Sequence, residues 1–253
     1  MPQAPSHSRR PIWHRRLPAA LALAAVLSEP ISIPALADPT ARPGSPLAGG
    51  IDAMVKIPGG SWQAVRAGGE TYWMSGNGRW VVKGRAYDLW AGAPLNDFSD
   101  IRTAVETVKL GGFDGLIEDL EPMRFGSGAI ELAVFVDPAC PHCHELLSRL
   151  ARIEDQVSVA VLPIPAFGEA SGRQVRAMHC AEDPHAAQEA LFGKRPALGL
   201  AQRPGCAIEA LHRRLVTAQM IGLRGVPFMV RLDSGRFVEG VPRDLAAWLE
   251  DAS

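Results

Sequence analysis

Cys140 and Cys143, in the run Cys140-Pro141-His142-Cys143, are the residues whose type and spacing point most directly to chemistry. They follow the apolar run Leu132-Ala133-Val134-Phe135-Val136. They open a segment in which Cys143, Leu146, Leu147, Leu150 and Ala151 recur on one face at helical spacing. A strand running into a helix would deliver both sulfurs to the first helical turn. At this spacing two cysteines are close enough for the short Cα separation that a disulfide needs. Cys140 stands at the positive end of the helix dipole, beside backbone N–H groups that favour a thiolate, and His142 can add positive charge there. Pro141 suits the first helical position, where its missing N–H had no partner to lose. The pair reads as a redox-active dithiol, with Cys140 the attacking, more exposed sulfur and Cys143 the resolving one. Half of a zinc site or a structural disulfide would use the same residue types. The strand before the pair and the proline inside it favour redox chemistry.

The ends and the composition set the context. His7, Arg9, Arg10, His14, Arg15 and Arg16 make a basic stretch, Leu17 to Leu27 is apolar, and Ala35-Leu36-Ala37 offers a small-residue cleavage site. In that order these read as a secretory signal peptide over residues 1–37. The apolar run is far shorter than the ~20 residues of a membrane span. Ser8-Arg9-Arg10 keeps twin-arginine export open beside the general route. Export of this bacterial style points to the periplasm, where disulfides persist. The net charge of -1 gives no sign of a nucleic-acid partner. All four cysteines, Cys140, Cys143, Cys180 and Cys206, lie in the second half, and an even count in an exported chain suits one catalytic and one structural disulfide.

From Ile51 to about Trp90 the pattern is β-like. Glu70–Ser75 and Arg79–Gly84 flank Gly76-Asn77-Gly78, a strong hairpin signal, and Ala86–Trp90 continues as a short strand. Trp62, Trp73, Trp80 and Trp90 crowd this region and read as a compact core. Phe98–Leu110 and Phe113–Met123 read as helices broken at Gly111-Gly112. After the cysteine-bearing helix comes an apolar strand, Val157–Leu162, then a largely helical stretch from Glu169 to about Ala210 that carries Cys180 and Cys206. A helix over Ala207–Met220, a hairpin built on Pro227–Leu232 and Arg236–Gly240, and a closing helix over Arg243–Asp251 follow. The second half therefore has an α/β layer architecture.

These segments together resemble the DsbC/DsbG family of periplasmic thiol:disulfide interchange proteins. The resemblance rests on Phe135-Val136-Asp137-Pro138-Ala139-Cys140-Pro141-His142-Cys143-His144, on Gly222-Leu223-Arg224-Gly225-Val226-Pro227, on Cys180-Ala181-Glu182-Asp183 with Pro204-Gly205-Cys206, and on Tyr72–Ser75 with Asn77–Gly84 and Asp88-Leu89. It implies an α+β protein with four parts: a signal peptide (1–37), a small cystatin-like β-rich dimerisation domain (38–97), a helical linker (98–129) and a thioredoxin-like catalytic domain with a helical insertion (130–253). It also implies a structural disulfide between Cys180 and Cys206. Pro227 would be a cis-proline facing the cysteine pair, with Val226 offering backbone groups to an extended substrate. The catalytic set is then Cys140, Cys143, His142 and Pro227, and the substrate-binding set is Val226 and Pro227.

Thiol–disulfide exchange needs no metal or organic cofactor. Cys140, Cys143, His144 and Cys180 are legitimate zinc ligands by type, but the proline between the cysteines and the export signal argue against a zinc site. The implied partners are exported proteins with non-native disulfides, a membrane thiol reductase as electron donor, and a second copy of the chain. Two features depart from the isomerases: Pro141-His142 and Val226 resemble the oxidase DsbA. A DsbA-like oxidase, or a dimeric holdase chaperone with secondary redox activity, is therefore the alternative to an isomerase or reductase. Val134 stands where thioredoxin has a buried carboxylate, which argues against a cytosolic-type reductase.

Overall fold

The fold is that of a computed structural model, which describes residues 44–108 and 116–250. The signal peptide read over residues 1–37 and the break at Gly111-Gly112 lie outside the described residues.

Strands β1 (Ala53–Lys56), β2 (Trp62–Ala67), β3 (Glu70–Ser75) and β4 (Val81–Val82) form an antiparallel meander in sequence order. The Gly76-Asn77-Gly78 turn joins β3 to β4, with Trp73 opposite Val82 and Met74 opposite Val81. Gly78 takes φ 70°, a conformation costly for residues with a Cβ. Residues alternate across the sheet, so it can be covered twice. Ala64 and Trp73 pack on Phe98 and Ile101 of helix α1 (Phe98–Glu106), while Val65, Ala67 and Met74 pack on Leu47. Asp97 caps α1 by accepting from the N–H groups of Ser99 and Asp100. Strands β5 (Ala86–Asp88) and β6 (Ala93–Leu95) form a separate hairpin.

The four tryptophans do not make one core. Trp73 and Trp90 are partly buried, but Trp62 and Trp80 are 41% and 58% exposed. Trp80 lies just past the β3–β4 turn, where it carries the Arg79 guanidinium 4.8 Å over its ring. Trp73 takes its place under α1, and with the faces already covered by α1 and Leu47, Trp62 and Trp80 are left exposed.

The second region is a five-stranded mixed sheet in the order β11-β10-β8-β9-β7, made of β7 (Met123–Phe125), β8 (Ile130–Val136), β9 (Val157–Pro163), β10 (Phe228–Arg231) and β11 (Phe237–Glu239). β8 and β9 run parallel, and the other neighbours are antiparallel. With helix α3 (Pro141–Ala151) between β8 and β9 and the antiparallel β10–β11 pair on the other side, this region is thioredoxin-like. β8 is central and covered on both faces, which is why it reads as continuous apolar sequence. Leu132, Val134 and Val136 face Leu146, Leu147 and Leu150 of α3, while Ala133 and Phe135 face Leu162, Phe228 and Ala218. Ala218 lies on helix α6 (Glu209–Met220). Helix α7 (Leu245–Glu250) contributes Leu245 and Leu249 to the first face. Overall the chain is α+β, as its pattern implies.

The stretch before β8 differs from its sequence reading. Of the helix expected over 113–123, the described part is α2 (Leu116–Asp119), and Met123–Phe125 is instead the edge strand β7. Pro122 cannot continue a helix, and Glu121 turns the chain at φ 47°. The buried Arg214 of α6 holds this turn: its Nε donates to the Leu120 carbonyl at 2.7 Å and its guanidinium nitrogens donate to those of Glu121 and Pro163. Three carbonyls at the meeting of three segments are thus satisfied by one side chain, whose charge a burial site must pair or hydrogen-bond.

The insertion after β9 holds α4 (Glu169–His179), α5 (Pro184–Leu191) and a 3₁₀ turn at Ala197–Gly199. Gly168, at φ 84°, turns the chain into α4. Cys180 and Cys206 are disulfide-bonded across 26 positions. In the chain-entropy account, closing a loop of that length stabilises the fold by about 3 kcal/mol. Replacing both cysteines with alanine should lower the unfolding free energy by that amount in urea titrations and leave the first-step reactivity of Cys140 unchanged.

Candidate active site

The site is built where β8 ends and α3 begins. Asp137, Pro138 and Ala139 carry the chain from one to the other, and Cys140 is the N-cap of α3, with extended backbone at φ -88°, ψ 115°. Caps are usually oxygen-bearing side chains that accept from the first helical N–H groups. Here the Cys140 sulfur takes that role, accepting from the N–H of Cys143 at 3.4 Å, while the Cys140 carbonyl accepts from Cys143 and His144 at 3.1 and 3.2 Å. Pro141 occupies N1. A negative sulfur at this position would gain from both the N–H and the helix dipole.

Cys143 sits one turn in. Its sulfur accepts from the peptide N–H of Asp137 at 3.5 Å. Burial pushes its thiol far up, the hydrogen bond with Cys140 and the negative charges of Cys140 and Asp137 add to this, and the Asp137 N–H works against it. At neutral pH Cys143 is therefore a thiol. Both cysteines are reduced, at 2% and 1% exposure. The expected greater exposure of Cys140 is not seen, because the carbonyl of Val226 lies on its sulfur: the Cys140 thiol donates to Val226 at 3.7 Å. The Val226–Pro227 bond is cis. His142 is 75% exposed, and its Nδ1 lies 3.8 Å from Glu145 rather than being buried with the sulfurs.

Cys140, Cys143, Val226 and Pro227 are thus brought together, His142 stands on the rim above them, and Cys180 with Cys206 lies apart in the insertion. His144 reaches back, its Nε2 donating to the Pro138 carbonyl at 2.8 Å. Sequence reasoning passed over Asp137 as a separate residue. It is 0% exposed, and its carboxylate accepts from the N–H groups of Ala139 and Phe167 and from the Ser171 hydroxyl. An acidic residue closing a fully apolar strand is the signal that could have singled it out, since a buried carboxylate must be hydrogen-bonded. The arrangement can carry thiol–disulfide exchange: one sulfur at a helix cap, a second within reach, and a backbone carbonyl at the first.

No family model matches the chain. It is a distant homologue of DsbC thiol:disulfide interchange proteins. It is 28% identical over 181 residues to a probable DsbC of Bordetella avium, covering 70% of this chain and 61% of that protein. It is 27% identical over 197 residues to a probable DsbC of Bordetella parapertussis, covering 77% and 66%. The chain thus spans less than two thirds of the length of these relatives. Among solved structures it is similar to Proteus mirabilis ScsC in a compact conformation, at 20% identity, TM-score 0.42, and coverage of 57% of this chain and 87% of that one.

The burial of Cys143 sets a reactivity order. With Cys140→Ser, alkylation of Cys143 should be slow at pH 7 and still rising at pH 9. With Cys143→Ser, Cys140 should react at least about tenfold faster at pH 7, since only the thiolate is nucleophilic. Iodoacetamide rates against pH decide this. Equal rates for the two sulfurs would contradict the assignment.

Proposed function

We propose that this chain is a thiol:disulfide interchange protein that isomerises or reduces non-native disulfides in exported proteins. The observation that carries this reading is the Cys140–Cys143 pair at the N-terminus of α3, with the Val226 carbonyl 3.7 Å from the Cys140 sulfur. The Cys140 thiolate attacks a client disulfide, bonds to one client sulfur and expels the other as a thiolate. The mixed disulfide then has two fates. A second client thiol attacks the client sulfur, which leaves the client isomerised and Cys140 restored. Alternatively, the Cys143 thiolate attacks Cys140, which leaves the client reduced and the pair oxidised by two electrons. In the second case a membrane thiol reductase restores the dithiol.

In this reading Val226 and Pro227 bind the client beside Cys140. Val226 offers its carbonyl to an extended client segment, a contact that does not read side chains and suits varied clients. His142, exposed on the rim, adds positive charge near the incoming disulfide when protonated. Cys180–Cys206 staples the insertion. Neither metal nor organic cofactor enters the exchange. The site works in the periplasm after the leader over 1–37 is removed. Among the described residues no helix is long and apolar enough to cross a membrane.

In this reading residues 38–97 dimerise, 98–129 link and 130–253 carry the exchange site. The meander supports a dimer because its edges, β1 and the two-residue β4, carry unpaired backbone beside exposed Met54, Trp80 and Val82. Pairing such edges across two copies would cover them. Two sites would then serve one client.

Light scattering on the whole mature chain tests the dimer. The whole chain is required because β7, from the linker, pairs with β9. The expected mass is twice that of the chain. A monomer would contradict the shared-client arrangement and favour the oxidase reading, to which Pro141-His142 and Val226 already lean. For the activity, Cys140→Ala should abolish reactivation of a scrambled-disulfide client. Retained reactivation would remove Cys140 from the reaction.

A further inference from the structure

The loop that ends in the cis-proline is held unevenly along its length. At its near end the N–H groups of Gly222 and Leu223 donate to the Gln219 and Ala218 carbonyls of α6, at 3.1 and 2.9 Å. At its far end the Pro227 carbonyl accepts from the N–H of Gly240, just after β11, at 2.8 Å. Between these points Arg224, Gly225 and Val226 make no backbone–backbone hydrogen bond among the described residues. A Cβ on Gly225 would meet nothing within 4 Å beyond its chain neighbours. Leu223 and Val226 rest on the apolar clusters, but apolar contact has no direction and does not fix where a carbonyl points. The Val226 carbonyl still lies on the Cys140 sulfur, at 3.7 Å. The group that reaches from this stretch to the sheet is the Arg224 guanidinium. Its Nε and Nη2 both donate to Oε1 of Glu239 at 3.1 Å, and Nη2 also donates to Oε2 at 3.1 Å. Glu239 is on β11, opposite Phe228 of β10, so the pair ends on a fixed point of the sheet. A guanidinium on both oxygens of one carboxylate sets direction as well as distance, which an ammonium does not.

We propose that the Arg224–Glu239 ion pair clamps the cis-proline loop so that the Val226 carbonyl is aimed at Cys140, which makes Arg224 and Glu239 positioning residues for the exchange. The inference rests on the exchange reading above and deepens it. With the clamp closed, the carbonyl covers the sulfur. The closed clamp also holds the free N–H and carbonyl of Val226 where an extended client can pair with them. These two effects oppose each other. A small reagent needs only the sulfur, and the clamp hinders it. A client needs the backbone beside the sulfur, and the clamp helps it. A general loss of structure would not split the two in this way. Arg224 is 77% exposed, and an ion pair so open to water adds little to folding stability. Its effect falls on where the loop sits.

The test measures both effects on the whole chain. The first readout is iodoacetamide alkylation of Cys140 in a Cys143→Ser background. The second is reduction of a fluorogenic peptide closed by one disulfide, with both cysteines present. There two glutathione thiols supply the two electrons and return Cys140 and Cys143 to the dithiol. Arg224→Ala should speed the alkylation about threefold and raise the peptide KM about threefold, the scale of one exposed ion pair. The loss should fall on KM rather than on kcat. Glu239→Gln should act in the same two directions. Arg224→Lys keeps the charge but loses the fork, and should fall between Arg224→Ala and the parent. Exchanging the partners, Arg224→Glu with Glu239→Arg, should return both readouts toward the parent. Parental values in Arg224→Ala, or slower alkylation and a higher KM together with a lower melting temperature, would overturn the clamp. An exchanged pair no better than either single reversal would also overturn it. A parent that reduces no peptide would instead strike at the exchange reading.

Discussion

Two sulfurs must lie within bonding reach while only one is ready to react, and the turn from Val136 to Cys140 imposes this. β8 is the central strand, and packing on both faces holds its end. α3 is held beneath it by Leu146, Leu147 and Leu150. The four residues from Asp137 to Cys140 must bridge these two fixed points. Their polar groups are satisfied locally: the Cys140 N–H by the Asp137 carbonyl, the Ala139 N–H by the Asp137 carboxylate and the Pro138 carbonyl by His144. A buried backbone group left unpaired would cost about as much as a lost hydrogen bond, so the turn has little freedom to drift.

From that turn the asymmetry of the sulfurs follows. Cys140 is at the cap, where N–H groups and the helix dipole converge. Cys143 is one turn deeper, against Asp137 and the aliphatic core. The same helix thus gives one sulfur a setting for attack and the other a reason to wait. The second loop of the site, ending in Val226 and Pro227, reaches the cap because β10 pairs antiparallel with β8, Phe228 opposite Phe135. The central strand thereby positions both walls of the site.

Much of this was legible in the sequence because it depends on local rules. The cysteine spacing, the proline at N1 and the recurrence of Cys143, Leu146, Leu147 and Leu150 define a helix start and its buried face, and that face is the one the sheet covers. The Gly76-Asn77-Gly78 turn is likewise read from its own residues. Features that depend on long-range packing were not legible. The exposure of Trp62 and Trp80 follows from α1 and Leu47 having covered the sheet. β7 exists because β9 has an open edge and Arg214, over ninety positions away, collects the carbonyls before it. Asp137 lay in view beside Cys140, but its donors Phe167 and Ser171 are about thirty positions on, across another strand.

The central claim is the division of labour between the two sulfurs, and trapping the reaction intermediate tests it most directly. Cys143→Ala is incubated with a client carrying scrambled disulfides, quenched with acid and mapped by mass spectrometry. The account requires a covalent client adduct at Cys140 that accumulates in this variant and is absent from Cys140→Ala. Adducts that form at Cys143 in the Cys140→Ala variant as readily as at Cys140, or no adduct in either variant, would contradict it.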